Sequence, residues 1–317
     1  MKRSLRAFAI PFFLFCFWFS NLRAEPVPIR VGILPIVEAL PFLIIQEKGL
    51  FDPPGFKMEI VPFASALERD SAIQSGRVQA AILDILGLTL FKSKGVPFTI
   101  VTDMMAPSSK RDLYTLLASP GSKVQTLRQL RGRTVAFSSH TMTEYVLDGI
   151  LSREKLKSTD VDKVEVKRIP LRFQMVLEGK VDAAILPEPL GSLALKEGAR
   201  RIAGDFGLRG TQTVLTFQES FIREHPEAFI LFGNAYQRAI RAFQEDPPRW
   251  RDLLVKKGGL PPAVKDMSIL ASFSDIRLPT PEDIGSIQSW MRGKGMDAPT
   301  VQYLSLVNDG WVKQGTK

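Results

Sequence analysis

The chain has 317 residues, of which 42 are basic and 33 acidic, and its formal net charge is +9 at pH 7. This length allows two domains of ordinary size. The sequence contains no Lys/Arg run and no alternation of basic and aromatic residues, which argues against a nucleic-acid partner. Its single cysteine, Cys16, excludes an intramolecular disulfide, so the fold must depend on its hydrophobic core.

Residues 1–24 have the three parts of a secretory signal peptide: basic residues within positions 2–6, an apolar run at 7–19, and Ala24 at the expected cleavage point. The run is shorter than the roughly 20 residues that span a membrane, although retention as an anchor is the alternative. Bulky Phe15 before Cys16 argues against lipidation. We predict cleavage, a periplasmic location and a mature charge of +5, because the signal contains four basic residues and no acidic one.

From residue 29, apolar strands alternate with helical patterns, which is typical of the βαβ units of a parallel sheet. The first predicted set has strands at 29–34, 58–62, 80–83 and 98–102, and helices at 39–49, 66–75 and 85–94. Residues 103–112 form an irregular segment with Pro107-Ser108-Ser109 near its centre. We interpret this segment as a crossing or hinge.

One sequence unit occurs twice. Residues 76–83 read GRVQAAIL, and residues 179–186, about a hundred positions later, read GKVDAAIL. In each copy a helical run precedes the glycine, which predicts a helix end in the left-handed conformation. A buried strand is expected to follow. The repeat predicts two similar lobes, although a chance match between common helix-Gly-strand units is the alternative.

The second predicted set begins with a short helix and a strand within 127–137. It continues with a helix that starts in 138–144 and ends near 151, a strand within 160–169, a helix at 171–178, a helix after Glu188 that ends near Gly198, and a strand at 201–203. The chain then returns through a strand at 213–217 and a long helix at 220–244. The apolar residues of that helix have helical spacing and are expected in the core: Phe221, Phe229, Phe232, Tyr236, Ile240 and Phe243. The proline-rich remainder is expected to wrap the first lobe.

Polar residues follow several of the predicted strands, and ligands of open α/β sheets bind at the carboxyl ends of strands. Residues 138–144 read SSHTMTE, so they offer hydroxyl and N–H groups that could bind an anion or a carbonyl oxygen. Helix capping alone is the alternative. Asp84 and Glu188 follow the two repeat copies, and we expect these acids to face each other across a cleft.

Several of these features together carry a resemblance to a known family: the signal peptide, the paired glycine-initiated units, the segment 127–136, and FIREHPE at 221–227 before a long helix. The chain resembles the type II periplasmic solute-binding proteins of ABC importers, in the branch for nitrate, sulfonates, taurine and thiamine precursors. The resemblance covers nearly the whole mature chain.

The resemblance implies an α/β fold of two lobes, each a mostly parallel sheet flanked by helices, joined by two hinge crossings. The first lobe is expected to comprise 25–108 and 209–317, and the second 109–208. The lobes would close on a small molecule and deliver it to a permease in the inner membrane, and the protein would act as a monomer.

On this interpretation the ligand contacts come from the strand ends. The expected contacts are Pro35, Ile36, Glu38, Ser65, Asp84, Ser138, Ser139, His140, Thr141 and Glu188. The acids have structural alternatives: Glu38 could favour the positive end of its helix, Asp84 could cap the next helix, and Glu188 could pair with a nearby base.

The hydroxyl and acidic groups suit different ligands. Sulfonate and nitrate prefer hydroxyls, amides and cations, whereas the three acids suit a ligand with hydrogen-bond donors or positive charge. An amphoteric ligand such as an amino-sulfonate, or a neutral nitrogen heterocycle, would satisfy both.

Two other functions stay open. A periplasmic enzyme on the same fold could use His140 as an acid or base. However, the sequence contains no nucleophile-base-orienter set, no His/Cys metal cluster and no Gly-rich phosphate loop, so neither a cofactor nor a metal is predicted. A sensor that presents its ligand state to a membrane partner would have the same sequence features as an importer component.

Overall fold

The computed structural model describes residues 25–267, 272–296 and 301–315. The predicted signal peptide at 1–24, with Cys16, lies outside the described residues. Within the three described ranges, no helix is both long and apolar enough to cross a membrane.

The described residues form ten strands in two five-stranded sheets. In chain order these strands are β1 (Val27–Ile33), β2 (Phe56–Pro62), β3 (Ala80–Asp84), β4 (Phe98–Met105), β5 (Tyr114–Ala118), β6 (Thr134–Phe137), β7 (Asp162–Glu165), β8 (Ala183–Pro187), β9 (Arg200–Gly204) and β10 (Thr213–Gln218).

Helices flank both sheets. The α-helices are α1 (Leu40–Lys48), α2 (Ala66–Gln74), α3 (Ile85–Ser93), α4 (Met142–Arg153), α5 (Ile169–Leu177), α6 (Leu190–Lys196), α7 (Glu219–Glu224), α8 (Pro226–Glu245), α9 (Arg251–Lys256), α10 (Pro281–Gly293), α11 (Tyr303–Leu306) and α12 (Gly310–Gly315). Short 3-10 helices lie at Val37–Ala39, Leu127–Leu130, Ser158–Asp160, Pro247–Trp250 and Pro262–Asp266.

The two sheets have the same spatial arrangement of strands. The first has the order β2-β1-β3-β10-β4 and the second the order β7-β6-β8-β5-β9. One strand of each sheet, β10 or β5, is antiparallel to both of its neighbours, and the other strands run in a common direction. We call the part built on the first sheet the first lobe and the part built on the second sheet the second lobe. The chain crosses between them after β4 and again after β9, which confirms the predicted two-lobed α/β class.

The sequence repeat has a structural counterpart in each lobe. The repeated strands β3 and β8 occupy the central position of their sheets. Gly76 and Gly179 have φ values of +69° and +66°, which confirms the predicted left-handed helix ends. The fourth residue of the repeat differs between the two copies but has the same role in both. Gln79 and Asp182 each accept a hydrogen bond from a backbone N–H of the adjacent strand, at 3.0 and 2.9 Å. The repeat therefore marks two equivalent units.

The structure corrects two predicted elements. The five-residue strand β5 was not predicted, because its place in the sheet depends on pairing with the distant strands β8 and β9 rather than on a local pattern. The single helix predicted at 220–244 is wrong. The helix is broken at His225, which has φ −133° and ψ 58°, because Pro226 disfavours a helical conformation in the residue before it.

The aromatic face of α8 lies in the core, as predicted. Its Phe229, Phe232 and Tyr236 are buried, and the Trp311 ring stacks on Phe229 with the ring centroids 5.1 Å apart. The C-terminal helices pack on the first lobe, where α10 contacts α3 and α11 contacts β4. The expected wrapping of the first lobe is therefore present in the described part of the tail.

Candidate functional site

A small cavity lies between the lobes at the carboxyl ends of the central strands. We call it the interlobe cavity. Its volume is about 50 Å³, and its walls come from both lobes. Beside it the lobes touch directly, since the Ile169 N–H of the second lobe donates to the Ala64 carbonyl of the first at 3.0 Å. A cavity of this size admits a group as large as a few water molecules.

Four of the ten residues predicted to bind ligand line the interlobe cavity: Ile36, Asp84, Ser138 and Thr141. Asp84 is the N-cap of α3 and accepts a hydrogen bond from the Gly87 N–H at 2.7 Å. Burial raises the pKa of the Asp84 carboxyl, and the positive charge of Arg69 opposes that rise. Asp84 therefore has the predicted capping role and also faces the cavity.

Only some residues of the hydroxyl-rich segment 138–144 face the interlobe cavity. The Thr141 hydroxyl caps this helix and donates to the Ser138 carbonyl at 2.8 Å. The Ser139 hydroxyl points elsewhere, because it donates to Glu165 at 2.5 Å. His140 is exposed, has a left-handed φ of 57°, and does not line the interlobe cavity. Its N–H donates to Glu144, so this residue forms the turn before the helix.

The remaining predicted residues lie behind or beside the cavity. Pro35 is buried, and the buried Ser65 hydroxyl caps α2 by accepting from the Glu68 N–H at 3.2 Å. Glu38 is buried and accepts a hydrogen bond from the Thr213 hydroxyl at 3.0 Å. Glu188 lies close to Glu38, so these two acids meet each other, whereas Asp84 and Glu188 line different cavities.

Glu188 lines a second, larger cavity of about 370 Å³, which we call the hinge cavity. Its walls include Arg111 and Asp112 of the first crossing and Ser192 of α6. Burial raises the pKa values of Glu38 and Glu188 to about 7, and the nearby Arg111 partly opposes this rise. The described residues contain no group of three or more His, Cys, Asp or Glu side chains that could hold a metal ion.

Sequence reasoning missed the two buried arginines that line the interlobe cavity. Arg69 of α2 and Arg172 of α5 are 3% and 1% exposed. They lie 103 positions apart, as do Ile82 and Ile185, to whose carbonyls they donate at 2.8 Å in each case. Each arginine lies seven residues before the glycine of its repeat copy, so an alignment of the two copies that began earlier in the chain would have matched the two arginines.

A bridge of charged groups also joins the lobes, beyond α10. The Lys294 ammonium contacts Glu144 and Asp148 of α4 at 2.8 and 3.1 Å. The Trp290 indole N–H donates to Asp148 at 3.1 Å. Burial favours a higher pKa for Glu144, but hydrogen bonds from Lys294 and from the His140 N–H bring the pKa below its usual range. The carboxylate is therefore charged at neutral pH and holds the tail against the second lobe.

The family follows from a comparison with known sequences. A family profile described as "NMT1/THI5 like" matches residues 37–249, which is most of the described chain. The chain belongs to the NMT1/THI5-like family. The matched region contains both crossings and most of the residues that line the interlobe cavity, whereas Leu34 and Ile36 precede it.

This NMT1/THI5-like chain is similar to proteins of known or assigned role. A protein of Brachyspira hyodysenteriae, named as an ABC transporter periplasmic binding protein, is 20% identical over 72% of this chain and 68% of its own length. The solved structure of the alkanesulfonate-binding protein SsuA from Xanthomonas axonopodis pv. citri, bound to MOPS, is 20% identical with a TM-score of 0.74. The match covers 90% of this chain and 99% of that one.

An enzyme has the same architecture. The solved structure of the desulfurization enzyme DSZB is 12% identical to this NMT1/THI5-like chain, with a TM-score of 0.67, and the match covers 92% of this chain and 99% of that one. At these identities the structural likenesses show the fold alone.

Proposed function

We propose that the chain is a periplasmic solute-binding protein. It captures a small organic molecule or anion, of the sulfonate, nitrate or thiamine-precursor type, between its lobes and delivers it to the permease of an ABC importer. The observation that carries this proposal is the interlobe cavity, because polar groups from both lobes meet there at the strand ends. The relative named as an ABC transporter periplasmic binding protein, and the sulfonate-binding protein of the same fold, support it.

The two crossings suit this role. In the described residues the backbone passes between the lobes after β4 and after β9, and these crossings would let the lobes move apart to admit a ligand and close to bury it. Direct contacts such as the one between Ile169 and Ala64 would then form on closure. The protein acts as a monomer in the periplasm, after removal of residues 1–24.

Of the predicted ligand contacts, we assign direct contact to Ile36, Asp84, Ser138 and Thr141, which line the interlobe cavity. The other six support this site. Ser65 and Ser139 fix the adjacent loops, His140 forms a turn, Pro35 is buried beside Ile36, and Glu38 and Glu188 form the wall behind the cavity.

The experiment that tests the proposal is native mass spectrometry of the mature protein purified from its own periplasm, with identification of small molecules after denaturation. We expect one bound small molecule per chain. A protein that carries no ligand, and that no metabolite of a broad panel stabilises against heat, would contradict solute capture.

Because DSZB has the same fold, enzymatic turnover is the second candidate. The predicted acid or base, His140, lies outside the cavity wall. We therefore expect the bound molecule to be recovered chemically unchanged after prolonged incubation. Mass-spectrometric detection of a new product that accumulates with time would favour the enzyme.

A further inference from the structure

The two buried arginines occupy equivalent positions but have different neighbours. In the first repeat, Asp70 follows Arg69, and Asp84 ends the repeated strand. In the second repeat, 103 positions later, the matching residues are Phe173 and Pro187. Both acidic positions of the first unit are therefore apolar in the second.

The first arginine is neutralised within its own lobe. Arg69 contacts the Asp70 carboxylate through Nε and Nη2 at 2.9 and 2.8 Å, and Nη1 donates to the Ile82 carbonyl. The Asp84 carboxylate lies near enough to interact with the same guanidinium. A buried cation with an ion-paired carboxylate, a second carboxylate nearby and satisfied donors needs no ligand to balance its charge.

Among the residues that the structure describes, the second arginine has no directly paired carboxylate. The exposed Glu165 interacts with it electrostatically and favours its charged form, but lies too far away to form an ion pair. The Nε and Nη1 groups of Arg172 donate to the carbonyls of Ile185 and Val166, both at 2.8 Å. Across the described ranges, it forms no ion pair, and its Nη2 makes no hydrogen bond. Burial lowers the pKa of Arg172 to about 10, so the group is still charged at neutral pH. A buried cation without a directly paired counter-charge is costly unless an anion joins it.

Other groups that favour negative charge lie on the same wall. The connection from β6 to α4 places Ser138 and Thr141 at the interlobe cavity, and the first turn of this twelve-residue helix places Thr143 there, at its positive end. The Ser138 hydroxyl makes no hydrogen bond to other residues in the part of the chain that the structure describes. It can therefore donate to a ligand.

We infer that Arg172 binds an anionic oxygen group of the ligand, and that this group supplies the direct ion-pair partner that Arg172 lacks within its own lobe. The ligand is then a small molecule with a carboxylate, sulfonate or nitrate-like oxyanion seated against Arg172 and Ser138. Its other end faces Asp84 of the first lobe. This inference rests on the proposed solute-binding function. It further specifies that the ligand is negatively charged and that Arg172 recognises this charge.

The test uses the mature chain, unfolded and refolded to remove any bound ligand. The probes are sodium nitrate, methanesulfonate, taurine, acetate and benzoate, with a hydroxymethylpyrimidine as the neutral probe, at constant ionic strength. Thermal shift identifies the probes that stabilise the protein, and calorimetry gives their Kd. We expect at least one oxyanion to bind, and the series separates sulfonate, carboxylate and nitrate ligands.

Three variants locate the contact. Arg172→Gln should weaken binding of that oxyanion by about 10- to 100-fold, because a charge-assisted hydrogen bond is lost. Arg172→Lys should restore part of it. Arg128→Gln is the control, since it removes an exposed charge of the same lobe whose ion-pair partner, Glu154, also lies in that lobe, and its Kd should equal that of the wild type.

Pro187→Asp provides a test that keeps Arg172 in place. It gives the second repeat the acid that Asp84 provides in the first, so it should weaken oxyanion binding even if Arg172→Gln fails to fold. Unchanged affinity in the folded Arg172 or Pro187 variants would overturn the inference while leaving solute capture intact. So would binding of the neutral probe alone. If neither the neutral probe nor any oxyanion binds, the proposed function fails as well.

Discussion

The two lobes have one architecture but differ in how they balance buried charge. Each lobe has a five-stranded sheet with one antiparallel strand, a glycine-initiated central strand, and a buried arginine that donates to that strand. In the first lobe Asp70 pairs with Arg69. In the second lobe the corresponding position is Phe173.

This difference separates structure from function within a repeated unit. The hydrogen bond to the central strand is common to both lobes, so it belongs to the fold. Within the described ranges, a buried arginine without a directly paired carboxylate occurs in one lobe only, at the wall of the interlobe cavity. A duplicated arrangement can therefore stabilise one lobe and bind a ligand in the other.

The largest expected effect comes from removing each arginine in turn. Arg69→Met should lower the free energy of unfolding by about 3–5 kcal/mol, because it leaves Asp70 and buried Asp84 without their cation. Arg172→Met should cost only about 1–2 kcal/mol, because it removes carbonyl hydrogen bonds but also a buried charge that no carboxylate pairs with directly. Urea denaturation of the ligand-free proteins measures both values.

The two variants serve as controls for each other, since they make the same substitution at equivalent positions. Equal losses of stability would mean that Arg172 is compensated as well as Arg69, and the contrast between the lobes would disappear.

Much of the fold was predictable because it depends on local patterns. The left-handed Gly76 and Gly179 and the buried apolar face of α8 follow from residue type and spacing. Strand β5 and the break at His225 were missed. The first depends on distant strand pairing, and the second on the restriction that Pro226 imposes on its neighbour.

The site was less predictable. Strand ends pointed to Asp84 and Ser138, but whether a side chain lines a cavity depends on how the lobes meet. The Ser139 hydroxyl donates to Glu165, and Glu38 accepts a hydrogen bond from Thr213. No pattern in the sequence predicts either contact. Arg172 was missed because a lone arginine on a helix normally indicates an exposed face.

The next largest effect is expected at Glu38, which is buried behind the interlobe cavity. The unfolded chain releases the Glu38 proton near pH 4.5 and the folded chain near pH 7, since burial raises the folded pKa. Between these values the folded state binds more protons, so its stability falls as the pH rises. Glu38→Gln removes the charge, keeps an acceptor for Thr213, and should stabilise the protein at pH 8 by up to roughly 3 kcal/mol.

The same substitution should have little effect at pH 5, where Glu38 is largely protonated in the folded state. Thermal unfolding at both pH values measures the difference, and exposed Glu197→Gln is the control. An equal effect of Glu38→Gln at pH 5 and pH 8 would show that Glu38 does not titrate in this range.

A smaller effect is expected from the bridge between the lobes. Lys294→Met removes the ammonium that contacts Glu144 and Asp148, which should weaken closure by about 1 kcal/mol and ligand affinity about fivefold. Small-angle scattering of the ligand-free protein should show a more open average shape, and calorimetry gives the affinity. Lys256→Met removes an exposed charge within α9 and should change neither quantity.

The smallest effect is expected at His140, which the structure places at an exposed left-handed turn. His140→Gly should raise the free energy of unfolding by up to about 1 kcal/mol, because glycine adopts this conformation without a steric cost. Ligand affinity should not change. A large loss of binding, measured by calorimetry, would place His140 in the site after all.

The most direct measurement is a crystal structure of the mature protein with the oxyanion that binds it most tightly. We predict that an oxygen of the anion lies within hydrogen-bond distance, about 3 Å, of Arg172 Nη2, with the Ser138 hydroxyl as a second donor. An anion bound in the hinge cavity beside Arg111, or at Arg69 without contact to Arg172, would contradict the assignment of the ligand charge to the second lobe.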